Sequence, residues 1–127
     1  MRFLAPSVLW LGGLGFLGFG VAFLLAPLQT IAMAGLPLDG AVAATELMAF
    51  YGGLEIALGA LLVACALKPS RRRDGLVLML ATYAGIGLAR VAGMLTTGGD
   101  TPFLRVALAL ELGFALLAAI ALYAARR

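Results

Sequence analysis

Four stretches of this chain, at about residues 3–26, 42–67, 75–95 and 102–125, are long and apolar enough to cross a hydrocarbon core, which takes about 20 residues of helix. With no water to satisfy them, backbone N–H and C=O groups inside a bilayer must bond within the segment, so such runs fold as helices. Of the 127 residues, 64% are hydrophobic and only 12% are charged. A soluble domain this short could not bury that much apolar surface and still cover itself with polar groups. The expected fold is therefore all-α: an integral membrane, antiparallel four-helix bundle forming a single domain over residues 1–127, with membrane lipids as its immediate partners.

The connections are short, which makes successive spans antiparallel neighbours. Between spans one and two, Leu28, Ile31, Ala32 and Leu36 fall at helical spacing in the stretch bounded by Pro27 and by the breakers Gly35 and Pro37. This predicts a short interfacial helix, followed by an irregular link. Pro69 ends span two, Asp74 is placed to cap span three, and Thr101 with Pro102 has the N-cap and N1 chemistry that opens span four. In span one, Gly18, Ala22 and Ala26 form a row of small residues suited to packing inside the bundle. The first run exceeds a signal-peptide core of about 7–15 residues, so it is read as a retained span despite a cleavage-like Ala32-Met33-Ala34.

Basic residues sort by side. Arg2, Lys68, Arg71, Arg72, Arg73, Arg126 and Arg127 fall on one face of a four-span topology, with Arg105 alone flanking the other. By the positive-inside rule both termini and the arginine turn are cytoplasmic. The net charge of +3 is accordingly a topology signal, and nucleic acid is not an expected partner. Trp10, Tyr123 and Arg105 suit head-group depth.

Three ionisable residues lie inside the apolar runs: Glu55, Arg90 and Glu111. Span three holds eight Leu, Ile or Val residues between positions 75 and 95, at roughly −0.3 to −0.6 kcal/mol each against about +2.5 to +3.5 kcal/mol for an arginine at mid-helix. Arg90 therefore needs a buried carboxylate or an interface to reach. Helical rise puts Arg90 roughly 9 Å, Tyr51 about 10 Å, Glu111 about 12 Å and Glu55 about 16 Å below the outer boundary. They share a layer. Tyr51 and Glu55, four apart, are expected on one face; Tyr83, Gly87, Arg90, Met94 and Thr97 form the matching stripe on span three. The expected cluster is thus Tyr51, Glu55, Arg90 and Glu111, with Arg90 bridging both carboxylates. Gly52, Gly53 and Gly59 would let a neighbouring helix approach beside it, and Glu46, half a helical turn round from Glu55, reads as a rim residue. Two carboxylates against one guanidinium leave a negative excess, to be met by a proton, a cation or a hydrogen-bonding head group.

No histidine is present and Cys65 is alone. Imidazole metal or haem ligation and an internal disulfide are therefore excluded, a di-iron site, which would want Glu-x-x-His pairs, is disfavoured, and no metal, cofactor or catalytic residue is assigned. The Thr96-Thr97-Gly98-Gly99-Asp100 stretch lacks a Walker lysine and is read as a turn.

With Glu46-x-x-x-x-Tyr51-Gly52-Gly53-Leu54-Glu55, then Ala89-Arg90-x-x-Gly93 and Leu110-Glu111-Leu112, the chain resembles an uncharacterised family of small four-span bacterial membrane proteins and, more distantly, the DoxX-like bundles. Where a basic residue often follows the first glutamate in that family, Leu47 and Met48 stand here. The resemblance implies a four-helix membrane fold, in a bacterial inner membrane, and no settled activity.

Three functions compete. The first is a non-enzymatic protein binding a lipid-like or small amphipathic molecule, or a membrane partner, at the buried cluster. The second is a small intramembrane enzyme in which Glu55 or Glu111 transfers a proton on a hydrophobic substrate. The third is a proton-coupled transporter, which four spans would build only as a homodimer; it is motivated by the echo of Leu54-Glu55-Ile56-Ala57 in Leu110-Glu111-Leu112-Gly113.

Overall fold

A computed structural model describes residues 3–125; Arg2, Arg126 and Arg127, used above to orient the chain, lie outside the described residues. Helix α1 (Leu4–Leu25) runs unbroken through its apolar stretch until Ala26, where φ −146° and ψ 64° stop it. Pro27 then starts α2 (Pro27–Met33) at the position where its missing N–H costs nothing. The Thr30 hydroxyl donates to the Ala26 carbonyl at 2.7 Å and also reaches that of Ala22 at 3.3 Å, tying the short helix to the frayed end of α1. Ile31 and Ala34 are buried against Phe23 of α1 and Leu47, with Leu28 and Phe103 packed alongside. The short helix between spans one and two therefore lies over one end of the bundle, held by its own small core.

Span two is one helix in three parts: α3 (Ala41–Leu47), a π-helical segment (Met48–Gly53) and α4 (Leu54–Leu67). The π segment is marked by the Leu54 N–H donating to the Ala49 carbonyl, five residues back. It underwinds the helix, so residues across it are not related by the usual ~100° per residue. After Lys68, a 3-10 turn (Pro69–Arg71) leads into α5 (Arg72–Thr97). This helix begins one turn before the apolar run at Gly75. Asp74 makes no capping hydrogen bond and instead lies 3.7 Å from Arg71 on the exposed surface. Arg72 Nε donates to the Ala66 carbonyl at 3.1 Å, so the capping of this turn is done by a guanidinium on a free helix C-terminus. Gly98, at φ +73°, closes α5 in the left-handed conformation that glycine adopts without penalty.

Helix α6 (Pro102–Ala124) opens as the sequence predicts: the Thr101 hydroxyl accepts from the Leu104 N–H at 3.2 Å, and Pro102 follows it. The same hydroxyl donates at 3.4 Å to the Ala34 carbonyl at the end of α2. Thr101→Ala is expected to cost about 1 kcal/mol of stability while Thr101→Ser retains it, in denaturation of the detergent-solubilised protein. Equal losses from both substitutions would show that the cap contributes nothing.

The principal packing is α1 along α4 and α5 along α6, with the α4–α5 turn joining the pairs. Helix α1 also meets both α5 and α6, so α1 and α5 span the short diagonal of the bundle and α4 and α6 face each other across the long one. Leu9, Leu62, Leu76 and Met79 are wholly buried at the centre, with Ala118 and Ala121 of α6 against them. The approach of α1 to α4 depends on glycine. A Cβ at Gly59 would lie 2.7 Å from the Gly13 carbonyl oxygen and one at Gly52 would lie 2.6 Å from Leu24 Cδ2. Gly53, expected to share this role, points elsewhere: its nearest neighbour would be its own helix, at Met48 O, 3.8 Å away. Gly18 is likewise exposed with nothing near it, so the buried small residues of α1 are Gly12, Gly13 and Gly20, not the Gly18 row.

The outer faces of all four long helices are apolar. Leu14, Leu61, Leu88 and Leu116, one from each span, are each more than half exposed. An unbroken apolar belt of this kind belongs in lipid, and all four helices have the length and hydropathy to cross a bilayer. The chain is an all-helical, multi-pass membrane protein.

Candidate functional site

Helix α6 comes close to α5 at Gly87, where a Cβ would lie 2.8 Å from Leu112 Cδ2 and 3.5 Å from Glu111 Cβ. One turn further along α5, that proximity brings Arg90 onto Glu111. Arg90 Nε donates to Glu111 Oε2 at 2.8 Å and Nη2 donates to Oε1 at 2.6 Å, a two-bonded fork in which each carboxylate oxygen is engaged. The pair is largely enclosed, with side-chain exposures of 25% for Arg90 and 12% for Glu111.

Glu55 does not join it. Its Oε2 is buried with no hydrogen-bond partner. The expected bridge across both carboxylates fails for a topological reason: Glu55 is on α4 and Glu111 on α6, the two helices on the long diagonal, and the edge of the guanidinium formed by Nε and Nη2 is already spent on the nearer acid. All three residues nevertheless line one cavity of about 130 Å³, walled by Gly15, Phe16 and Phe19 of α1, Glu55 of α4, Tyr83, Ile86 and Arg90 of α5, and Ala107, Leu110, Glu111 and Phe114 of α6.

The tyrosine of the site is Tyr83, not Tyr51. Tyr83 is buried, its hydroxyl donates to the Gly12 carbonyl at 2.8 Å, and its ring stacks on Phe16 at 4.3 Å and meets Phe114 at 4.9 Å. Its signal was in the sequence, since it precedes Arg90 by seven residues and therefore shares its face of α5. Tyr51 stacks on Phe23 at 4.9 Å and lines a separate surface groove with Glu46, Leu38, Ala43, Leu47, Phe50 and Leu54. The π segment that contains Tyr51 ends before Glu55 and unwinds the shared face that an i, i+4 spacing predicts. Glu46 is exposed at the rim of that groove. Gly52 and Gly59 serve the α1 contact behind the cavity, and Gly53 serves neither.

Chemically, the cavity offers a closed ion pair, an unpartnered carboxyl oxygen and aromatic walls. Among the described residues no three His, Cys, Asp or Glu side chains gather as a metal site. The cavity is not sealed: Phe19 is 37%, Ile86 37% and Leu110 57% exposed, so its mouth is rimmed by side chains that face lipid.

Comparison with curated proteins and with solved structures finds no match. A family model does match, over residues 5–122, and it describes a domain of unknown function. With nearly every described residue inside that match, the chain belongs to the family described as Domain of unknown function (DUF4345).

Proposed function

We propose that this protein is a non-enzymatic membrane binder whose cavity takes the polar end of a small amphipathic molecule entering sideways from the lipid. The observation that carries the reading is Glu55: a buried acceptor without a partner is a costly arrangement in a low-dielectric interior, and a ligand that donates to it removes the cost. The exposed apolar rim of Phe19, Ile86 and Leu110 supports entry from the hydrocarbon side, with the tail left among the acyl chains.

The proposed orientation follows charge. Lys68, Arg71, Arg72 and Arg73 surround the α4–α5 turn, whereas at the α5–α6 turn Arg105 Nε donates to Asp100 at 2.8 Å. That guanidinium holds the Asp100 carboxyl below its usual range, so the pair stays ionised and nearly neutral as a unit. The positive-inside rule then makes the α4–α5 turn cytoplasmic and puts Arg90 and Glu111 in the outer half of the inner membrane.

Ala107 lines the cavity from α6, and Ala107→Phe is expected to fill it. Native mass spectrometry of protein extracted in mild detergent should find an amphiphile-sized adduct on the wild type, reduced at least about tenfold on Ala107→Phe, the ratio of ~1.4 kcal/mol of lost binding. Equal adducts on both proteins, or none on the wild type, would reject the reading.

A further inference from the structure

We infer that the head group this cavity accepts is a protonated amine: an alkylammonium whose N–H donors reach Glu55. The inference rests on the binding role proposed above and adds to it the charge of the ligand. Taken helix by helix, the cavity receives no ionisable side chain from α1, Glu55 from α4, Arg90 and Tyr83 from α5, and Glu111 from α6. Arg90 spends Nε and Nη2 on the two oxygens of Glu111, so their opposite charges are matched within one forked pair. Tyr83 has directed its proton to the Gly12 carbonyl. What is left facing the space is an acceptor without a partner, Glu55 Oε2.

Each class of head group meets this arrangement differently. An anion drawn toward the outer edge of Arg90 would sit in a low-dielectric space beside the Glu111 carboxylate and against the unpartnered carboxyl oxygen of Glu55, which is repulsive on balance. A neutral alcohol donates a single hydrogen bond to Glu55 and brings no charge to it. An ammonium brings three donors to that open acceptor, and its positive charge favours the carboxylate form of Glu55 once it is bound. The walls favour it further, because Phe16, Tyr83 and Phe114 surround the space with ring systems that attract cations through their electron-rich faces. Size sets the rest. About 130 Å³ is close to the ~150 Å³ engineered cavity that holds a benzene molecule, so a head group and a few carbons fit while the chain leaves past Ile86 and Leu110.

The test uses the full chain in nanodiscs of zwitterionic lipid at neutral pH, with tritiated n-octylamine, n-octanol and n-octanoate as probes of one chain length and three charges. Binding is taken as the saturable excess over empty nanodiscs. The expected result is octylamine bound at least about tenfold tighter than octanol, with octanoate weakest. Glu55→Gln should bring octylamine down to about the wild-type octanol value. Octanol binding as tightly as octylamine, a preference for octanoate, or octylamine binding unaltered in Glu55→Gln would each overturn the ammonium assignment while leaving the binding role standing. Absence of saturable binding for all three probes would overturn both. The wild-type probe series decides the matter even where Glu55→Gln fails to fold.

Discussion

Arg90→Met is expected to make α5 a better membrane span and the folded protein a worse one. An arginine near mid-helix opposes insertion by about 2.5–3.5 kcal/mol, so its removal favours translocon-mediated insertion of the isolated α5 segment. In the folded bundle, the same change strands Glu111, whose two oxygens are both held by Arg90. Breaking one side of a largely enclosed ion pair costs about 3–5 kcal/mol, far more than the pair contributes net, because the orphaned charge has neither water nor partner. The double variant Arg90→Met/Glu111→Leu removes both charges and should recover most of that loss, since a well-packed apolar pair of similar volume is about as stable as the ion pair it replaces. Insertion assays on the α5 segment and reversible unfolding in mixed micelles measure the two quantities separately. Wild-type stability in Arg90→Met, or no recovery in the double variant, would mean that the Arg90–Glu111 fork does not hold α5 to α6.

The reach of the sequence over this molecule followed the physics of each feature. Long apolar runs specify spans because a bilayer leaves the backbone no alternative to helix, and the Thr101-Pro102 start of α6 is local chemistry that needs no tertiary information. The pairing of Arg90 with a carboxylate was readable too, as α5 carries a single mid-span guanidinium at a depth shared with acids on the spans to either side. Which acid it would choose was not, because the choice between Glu55 and Glu111 depends on which neighbouring helix α5 packs along, and that helix is α6. The end of a helix is also a different thing from the edge of the membrane. Arg72 and Arg73 belong to α5 although they are charged, since a helix can continue past the hydrocarbon into water. On α1 no charged residue marks an outer side, so periodicity could not tell the buried Gly12, Gly13 and Gly20 from the exposed Gly18. And the assumption of uniform helical winding, reasonable almost everywhere, fails at Met48–Gly53, where the π turn sends Tyr51 to the outer groove and leaves Glu55 to the cavity.

That distinction between glycines leads to the second large effect. Gly59→Leu is expected to separate α1 from α4, whereas Gly53→Ala, six residues away on the same span, should be neutral or mildly stabilising. At Gly59 a Cβ would stand 2.7 Å from the Gly13 carbonyl oxygen, 2.7 Å from Leu17 Cγ and 2.9 Å from the Leu17 nitrogen. Two of those three atoms are backbone and cannot rotate away, so a side chain is accommodated only by moving α1 as a body. Overpacking a closed interface costs about 1–3 kcal/mol even where neighbours can shift, and a leucine at this point should exceed that range. Loss of the α1–α4 contact also removes the α1 wall of the cavity, formed by Gly15, Phe16 and Phe19, so amphiphile binding should fall with stability. At Gly53 a Cβ would meet nothing closer than 3.8 Å, and alanine there gains up to about 1 kcal/mol of helix propensity, less whatever the underwound π segment withholds. Disulfide cross-linking between cysteines placed on the facing surfaces of α1 and α4, in a Cys65→Ser background, reports their approach directly. Unchanged cross-linking in Gly59→Leu, together with wild-type stability, would mean that the two helices do not pack through Gly59, and the cavity would then need a different wall.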